Sequence, residues 1–148
     1  MLTIERWLTS DGKFPDRAKI RDEKAKDKKA EDARVSELDL ARANAALLVE
    51  RINLLFEDLG IEVPEVSSGF RPSAVNAAIP NAARKSLHMT GLAIDFRDAD
   101  GKLDELFSQN DALLKKYGLW QEHPDATKGW AHLDLKDRGP RAKNQFRP

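Results

Sequence analysis

The chain contains no cysteine in its 148 residues. This excludes a disulfide framework and any thiolate metal site, and it leaves His, Asp and Glu as the side chains able to hold a metal. Net charge is absent as well, with 25 basic residues balancing 25 acidic ones. No overall field draws the protein to nucleic acid or to an anionic membrane, and neither is expected as a partner. No apolar run approaches the ~20 residues that span a bilayer. The opening residues hold one apolar cluster, Leu2, Ile4, Trp7 and Leu8, which Glu5 and Arg6 interrupt. A signal peptide has a longer continuous apolar core, so synthesis in the cytoplasm is expected, with separate delivery if the target lies outside the membrane.

The charged fraction of 34% exceeds the usual quarter or so, which implies a heavily solvated surface around an ordinary core. A chain of this length fits one domain with one active site, and a monomer is expected. Residues 11–35 are dense in Lys, Asp and Glu of interleaved sign. With residues 1–10 they form a charged N-terminal arm, 1–35, helical or frayed. Residues 36–137 carry the apolar pattern of the domain. Residues 138–148 form a basic tail with little to bury, expected to run over the surface.

Within 36–137, Ser36-Glu37-Leu38-Asp39 reads as a helix cap, and Leu48, Ile52, Leu55 and Leu59 recur at helical spacing until Gly60. A core helix of about 20 residues follows from that spacing. Val63 to Phe70 reads as a strand, Ser73 to Ala78 as a short helix stopped by Pro80, and 79–87 as a loop. Leu92 to Phe96 is apolar enough for a buried strand. Asp98 to Gly101 forms a turn into one helix, 102–117, closed by Gly118. Two further strands, Leu119 to Glu122 and Trp130 to Leu135, flank the loop from His123 to Gly129. The order predicts an α+β domain with a small, mainly antiparallel sheet and flanking helices.

The chemistry concentrates in Ser86-Leu87-His88-Met89-Thr90-Gly91-Leu92-Ala93-Ile94-Asp95, where a loop imidazole precedes a carboxylate set in an apolar strand. A buried Asp without a partner costs several kcal/mol or protonates, and a divalent metal removes that cost. The alternative for Asp95 is bonding to backbone amides or to Arg97. A third candidate ligand is His132, which strand alternation sets on one face with Trp130 and Asp134. Two imidazoles and a carboxylate suit a catalytic zinc site, which keeps its fourth position for water.

At these residues the chain resembles the zinc D-Ala-D-Ala carboxypeptidases, the vancomycin-resistance D,D-dipeptidases and the phage murein endopeptidases. The likeness spans roughly residues 45 to 137. It rests on Ser68-Gly69-Phe70-Arg71, on Ser86-x-His88-x-x-Gly91-x-Ala93-x-Asp95 and on Trp130-x-His132. It implies the hedgehog/D-Ala-D-Ala peptidase-like fold, a zinc peptidase domain over 36–137, and His88, Asp95 and His132 as the zinc ligands. It further implies a metallopeptidase, carboxypeptidase or endopeptidase, with the peptides of peptidoglycan as substrate. The segment from Glu122-His123-Pro124 through Trp130-x-His132 to the basic tail looks most like the phage branch. An endolysin, released to the cell wall by a holin or another route, is then the expectation.

Zinc catalysis of this kind also needs a cation for the oxyanion or the substrate carboxylate, and a general base. Arg71 suits the first role through its planar fork and its place in the resembled motif. Ser86 either hydrogen-bonds substrate or caps the loop before His88. For the base the chain departs from its relatives, which place an acid three residues before the last His ligand or a His two before it. Here those positions are Gly129 and Trp130. Glu122 becomes the candidate base, with His123 and Asp125 as weaker substitutes and Asp134 as a partner orienting a neighbour. The missing acid also motivates a second reading, a non-catalytic zinc-containing module that binds the wall or serves a structural role.

Overall fold

The computed structural model describes residues 1–9 and 28–148, with side chains of the second segment described from Glu37 onward. The expected charged arm therefore falls largely outside the described residues. The part that is described departs from an arm in one respect: helix α1, Ile4–Thr9, lies against the domain, and Leu2, Trp7 and Leu8 are buried in its core. The indole Nε1 of Trp7 donates to Ala93 O at 3.0 Å, and its ring packs against Phe70 at 5.9 Å.

The core helix, α2, runs from Lys28 to Leu59. It is longer than expected because Ser36 lies inside it rather than at a cap. A Ser with good helix formers on both sides does not end a helix, and the charged residues before it continue the turn. Ala41, Ala45, Leu48, Ile52, Leu55 and Phe56 form its buried stripe. Phe56 meets Phe96 and Phe107 edge-on, at 5.3 and 5.9 Å between ring centroids.

Strand β1 is shorter than expected, Val66–Ser68, and helix α3 occupies Ser73–Ala78. A single 3₁₀ turn, Leu87–Met89, carries His88 and leads into β2, Ala93–Asp98. The expected helix over 102–117 is two helices, α4 (Lys102–Gln109) and α5 (Asp111–Tyr117). Asn110 interrupts them by spending its side-chain amide on Leu106 O at 2.8 Å, the local competition with backbone that makes Asn a poor helix interior residue. Asp98 starts α4 by accepting from Leu103 N and Asp104 N at 3.0 and 2.9 Å. Gly118, at φ 65°, ends α5 in the left-handed conformation that glycine adopts freely.

Strands β3 (Trp120–Glu122), β4 (Gly129–Asp134) and β5 (Gln145–Phe146) complete a sheet of order β1-β2-β4-β3-β5. Every pairing is antiparallel except β3 with β5. The fold is thus the expected α+β class, with one strand more than the sequence indicated. The segment expected to run over the surface instead pairs through Gln121↔Gln145 and Glu122↔Phe146, and Asn144 is buried. The central β2/β4 ladder runs six residue pairs and sets Asp95 directly opposite His132. No described helix is long and apolar enough to cross a membrane.

Candidate metal centre

Three chain segments meet over the β1-β2-β4 end of the sheet. Asp95 stands on β2 and His132 opposite it on β4, while the 3₁₀ turn holds His88 over β2. Gly91 makes that turn possible. Its φ is +81°, and a Cβ there would stand 2.1 Å from Ala41 O on α2, so the His88 loop touches the core helix backbone to backbone. Asn44 of α2 adds a bond to Thr90 O at 2.7 Å. Ser86 caps the turn, its Oγ accepting from His88 N at 3.3 Å. Of the two roles read for Ser86, this is the one the fold displays.

His88, Asp95 and His132 are all buried, and one potential ligand atom from each lies within 4.8 Å of the others. Asp95 Oδ2 is 3.3 Å from His88 Nε2, and Asp95 Oδ1 is 2.7 Å from His132 Nδ1. The alternative partner for Asp95 is elsewhere: Arg97 pairs with Glu65 at 3.0 Å on the exposed side.

The second nitrogen of each imidazole has a fixed partner. His88 Nδ1 lies 2.9 Å from Gly69 O, a carbonyl that can only accept, so this nitrogen carries hydrogen. His132 Nε2 lies 3.1 Å from Asp134 Oδ2. Asp134 is completely buried. Burial pushes its pKa up, but His132 and a bidentate pair with Arg138 outweigh this and hold it below the usual carboxylate range. Asp134 therefore accepts as well. In the neutral state each imidazole then aims a lone pair at an oxygen of Asp95, with no proton between them. Such a donor set fits either extra protons or one divalent cation.

Charge and burial act on Asp95 and His132 in opposite directions. Burial lowers the His132 pKa, but hydrogen bonds to Asp134 and Asp95 outweigh it and push it up to about 10. Asp95 is driven the opposite way: burial raises it, and the charges and hydrogen bonds of His88 and His132 hold it well below the carboxylate range. A divalent cation would supply between these side chains a positive charge that suits both imidazoles and the carboxylate.

The other sequence candidates divide between the edge of this group, where Arg71 and Glu122 lie, and the surface. Arg71 reaches Ser68 Oγ at 3.3 Å and Asn76 Oδ1 at 3.4 Å, and its Nη2 is 3.8 Å from Asp95 Oδ2. Its buried Nε has no hydrogen-bond partner among the described residues. Glu122 ends β3 half-buried. Burial raises its pKa above 4.5, and the charges of His132, Asp95, Asp134 and His88 all act on it. His123 and Asp125 are engaged at the surface, where Arg147 Nη2 lies 3.2 Å from His123 Nε2 and 3.1 Å from Asp125 Oδ2. Gly129 and Trp130, at the positions where relatives hold a base, are both exposed.

Sequence reasoning missed Arg138 and Phe146. The guanidinium of Arg138 lies 3.5 Å from the Phe146 ring centroid, and that ring stands edge-on to His132 at 6.0 Å. The available signal was Asp134 itself: an acid placed inward by alternation beside His132 requires a countercharge, and a basic tail follows within four residues.

No curated protein and no solved structure is significantly similar to the chain. Residues 22–134, more than half of the chain, match the family model of peptidase M15. That span contains the Ser-Gly-Phe-Arg segment, the His88 to Asp95 motif and Trp130-x-His132, the residues that carried the likeness to the zinc D-Ala-D-Ala peptidases. The chain belongs to the peptidase M15 family.

Proposed function

We propose that the protein is a zinc peptidase that hydrolyses the D-amino-acid-containing stem peptides of bacterial peptidoglycan, with His88, Asp95 and His132 as the zinc ligands. The observation that carries this reading is the convergence of two imidazole lone pairs on one buried carboxylate. A bound zinc supplies a Lewis acid and brings the pKa of a water down to about 7.

The chain's own groups account for the rest. Glu122 takes a proton from the attacking water and returns it to the leaving amine. Its half-buried setting and raised pKa bring it closer to the working pH, where a base is most useful. Arg71 has donor capacity to spare, since its two Nη bonds are long and its Nε is unpartnered among the described residues. It faces the carboxylate of the substrate or the oxyanion that forms as the amide is attacked. The Ser86 hydroxyl accepts from His88 N and keeps its own hydrogen, which it donates to substrate from the loop that holds His88. The likeness of the C-terminal part to phage enzymes supports a lysis role, with delivery to the wall by a holin or a comparable route.

Digestion of purified murein followed by mass spectrometry of the fragments tests this reading. New amino and carboxyl termini are expected, and they should vanish with a chelator and return with zinc. The exposed Gly129 and Trp130, where relatives keep an acid or a His, favour the second reading of a zinc-containing wall-binding module. Tight binding to murein with no new termini, and no effect of Glu122→Ala, would establish that module instead.

A further inference from the structure

The two nitrogens of His132 face different partners, and what distinguishes them lies beyond the region matched to the family, which ends at residue 134. Nδ1 faces Asp95 and Nε2 faces Asp134. Asp134 is completely buried, where an ionised carboxylate needs compensation. Arg138 provides it with a two-pronged contact, Nη1 to Oδ1 at 2.7 Å and Nη2 to Oδ2 at 2.9 Å, and Lys136 N adds a bond to Oδ1 at 3.0 Å.

The arginine is itself held in place. Its Nη1 also donates to Lys136 O at 2.9 Å, and its guanidinium packs on the ring of Phe146. Phe146 is fixed by β5, where His123 N donates to Phe146 O at 2.8 Å and Gln121 N to Asn144 O at 2.9 Å. Asn144 in turn anchors to Leu119 O at 3.0 Å and to Asp111 Oδ1 at 2.6 Å.

The two-pronged contact with Arg138 and the bond from Lys136 N fix the plane of the Asp134 carboxylate, which presents an Oδ2 lone pair to Nε2, so the imidazole nitrogen facing it carries the hydrogen. Without the fork the carboxylate is free to turn, and Nε2 loses the fixed acceptor that orients the His132 ring and aims Nδ1 at Asp95.

We propose that Arg138 is a positioning residue: through Asp134 it holds His132 with hydrogen on Nε2, with Phe146 of β5 seating the guanidinium, so that Nδ1 is the nitrogen offered to the metal. This rests on the reading of His132 as a zinc ligand and assigns to the C-terminal segment a part in building the site.

The test uses the full chain, zinc-loaded and labelled with ¹⁵N at histidine. Long-range ¹⁵N–¹H correlation spectra should show His132 protonated at Nε2 and coordinated through Nδ1; hydrogen on Nδ1 overturns the proposal. In zinc titrations Arg138→Ala should weaken affinity by about 10- to 100-fold, the usual loss when an outer partner of a ligating His is removed. Arg138→Lys should fall between, since an ammonium keeps the charge and loses the fork. Arg141→Ala, an exposed basic residue of the same tail, should leave affinity unchanged. Wild-type affinity in both Arg138 variants, with Nε2 still protonated, also overturns it. Should Arg138→Ala fail to fold, Arg138→Lys and the wild-type spectrum decide. A wild-type chain that binds no zinc removes the ligand reading itself, and this proposal falls with it.

Discussion

Asp95 on β2 and His132 on β4 are cross-strand partners in register, and their side chains meet at 2.7 Å between Oδ1 and Nδ1. The sheet itself thus sets the spacing of two proposed zinc ligands, and only His88 depends on a loop. Zinc should bind at one equivalent per chain. Asp95→Asn should weaken binding by more than the ~10- to 100-fold that loss of an outer partner costs. Zinc held by the folded state alone should also raise thermal stability, by about 2.7 kcal/mol at one hundred times Kd. Calorimetry of wild type and Asp95→Asn with and without zinc checks both; an unshifted melting curve for wild type in excess zinc would sink the assignment.

As the proposed base, Glu122 sets the expected pH dependence. Its carboxyl must be ionised to accept a proton, and burial raises its pKa above 4.5. Activity should therefore be present above that raised value and fall about tenfold per pH unit below it. Glu122→Gln should lower kcat by about 10²- to 10⁴-fold, the range of general-base contributions, and abolish that acidic limb. A variant with an intact limb would transfer the role to another group, and His123 and Asp125 are the next to substitute.

Gly91 links the core helix to the ligand loop. An alanine there meets a positive φ, which costs about 1–2 kcal/mol for an L-residue, and its Cβ would stand 2.1 Å from a backbone oxygen of α2 that no rotamer change can move. Gly91→Ala should lower stability by more than the conformational cost alone and displace His88, so zinc affinity should fall as well. Urea unfolding and zinc titration of the variant measure the two effects; a variant as stable as wild type would mean that the loop does not rest on Ala41.

Much of this site was legible in the sequence because its signals are local. The His88 to Asp95 segment lies within eight positions, and alternation along one strand places His132 and Asp134 on one face. The α+β class followed from the order of apolar patterns. What escaped had non-local causes. Strand β5 exists because Gln145 and Phe146 find an open parallel edge on β3, and two residues carry no periodicity of their own. The long α2 escaped because Ser36 has the composition of a cap without the break in backbone that a cap requires. The fork between Arg138 and Asp134 escaped because a basic run of residues reads first as a solvated surface.

Trp7 shows the same limit at the other end of the chain, and it carries the last prediction. An apolar cluster broken by charges gave no sign of its target, yet Trp7 is fully buried and its indole donates to Ala93 O, two residues before Asp95. Trp7→Ala should destabilise the domain by about 3–5 kcal/mol, as large core truncations do. Trp7→Phe keeps much of the bulk but deprives the Ala93 carbonyl of this donor, and an unmet buried acceptor costs about 1–3 kcal/mol. The two variants separate packing from hydrogen bonding in urea unfolding. Because the lost bond falls on β2, zinc affinity should drop in Trp7→Phe even where the protein remains fully folded. Unchanged affinity in the folded variant would show that α1 supports the core alone and leaves the ligand strand to its neighbours in the sheet.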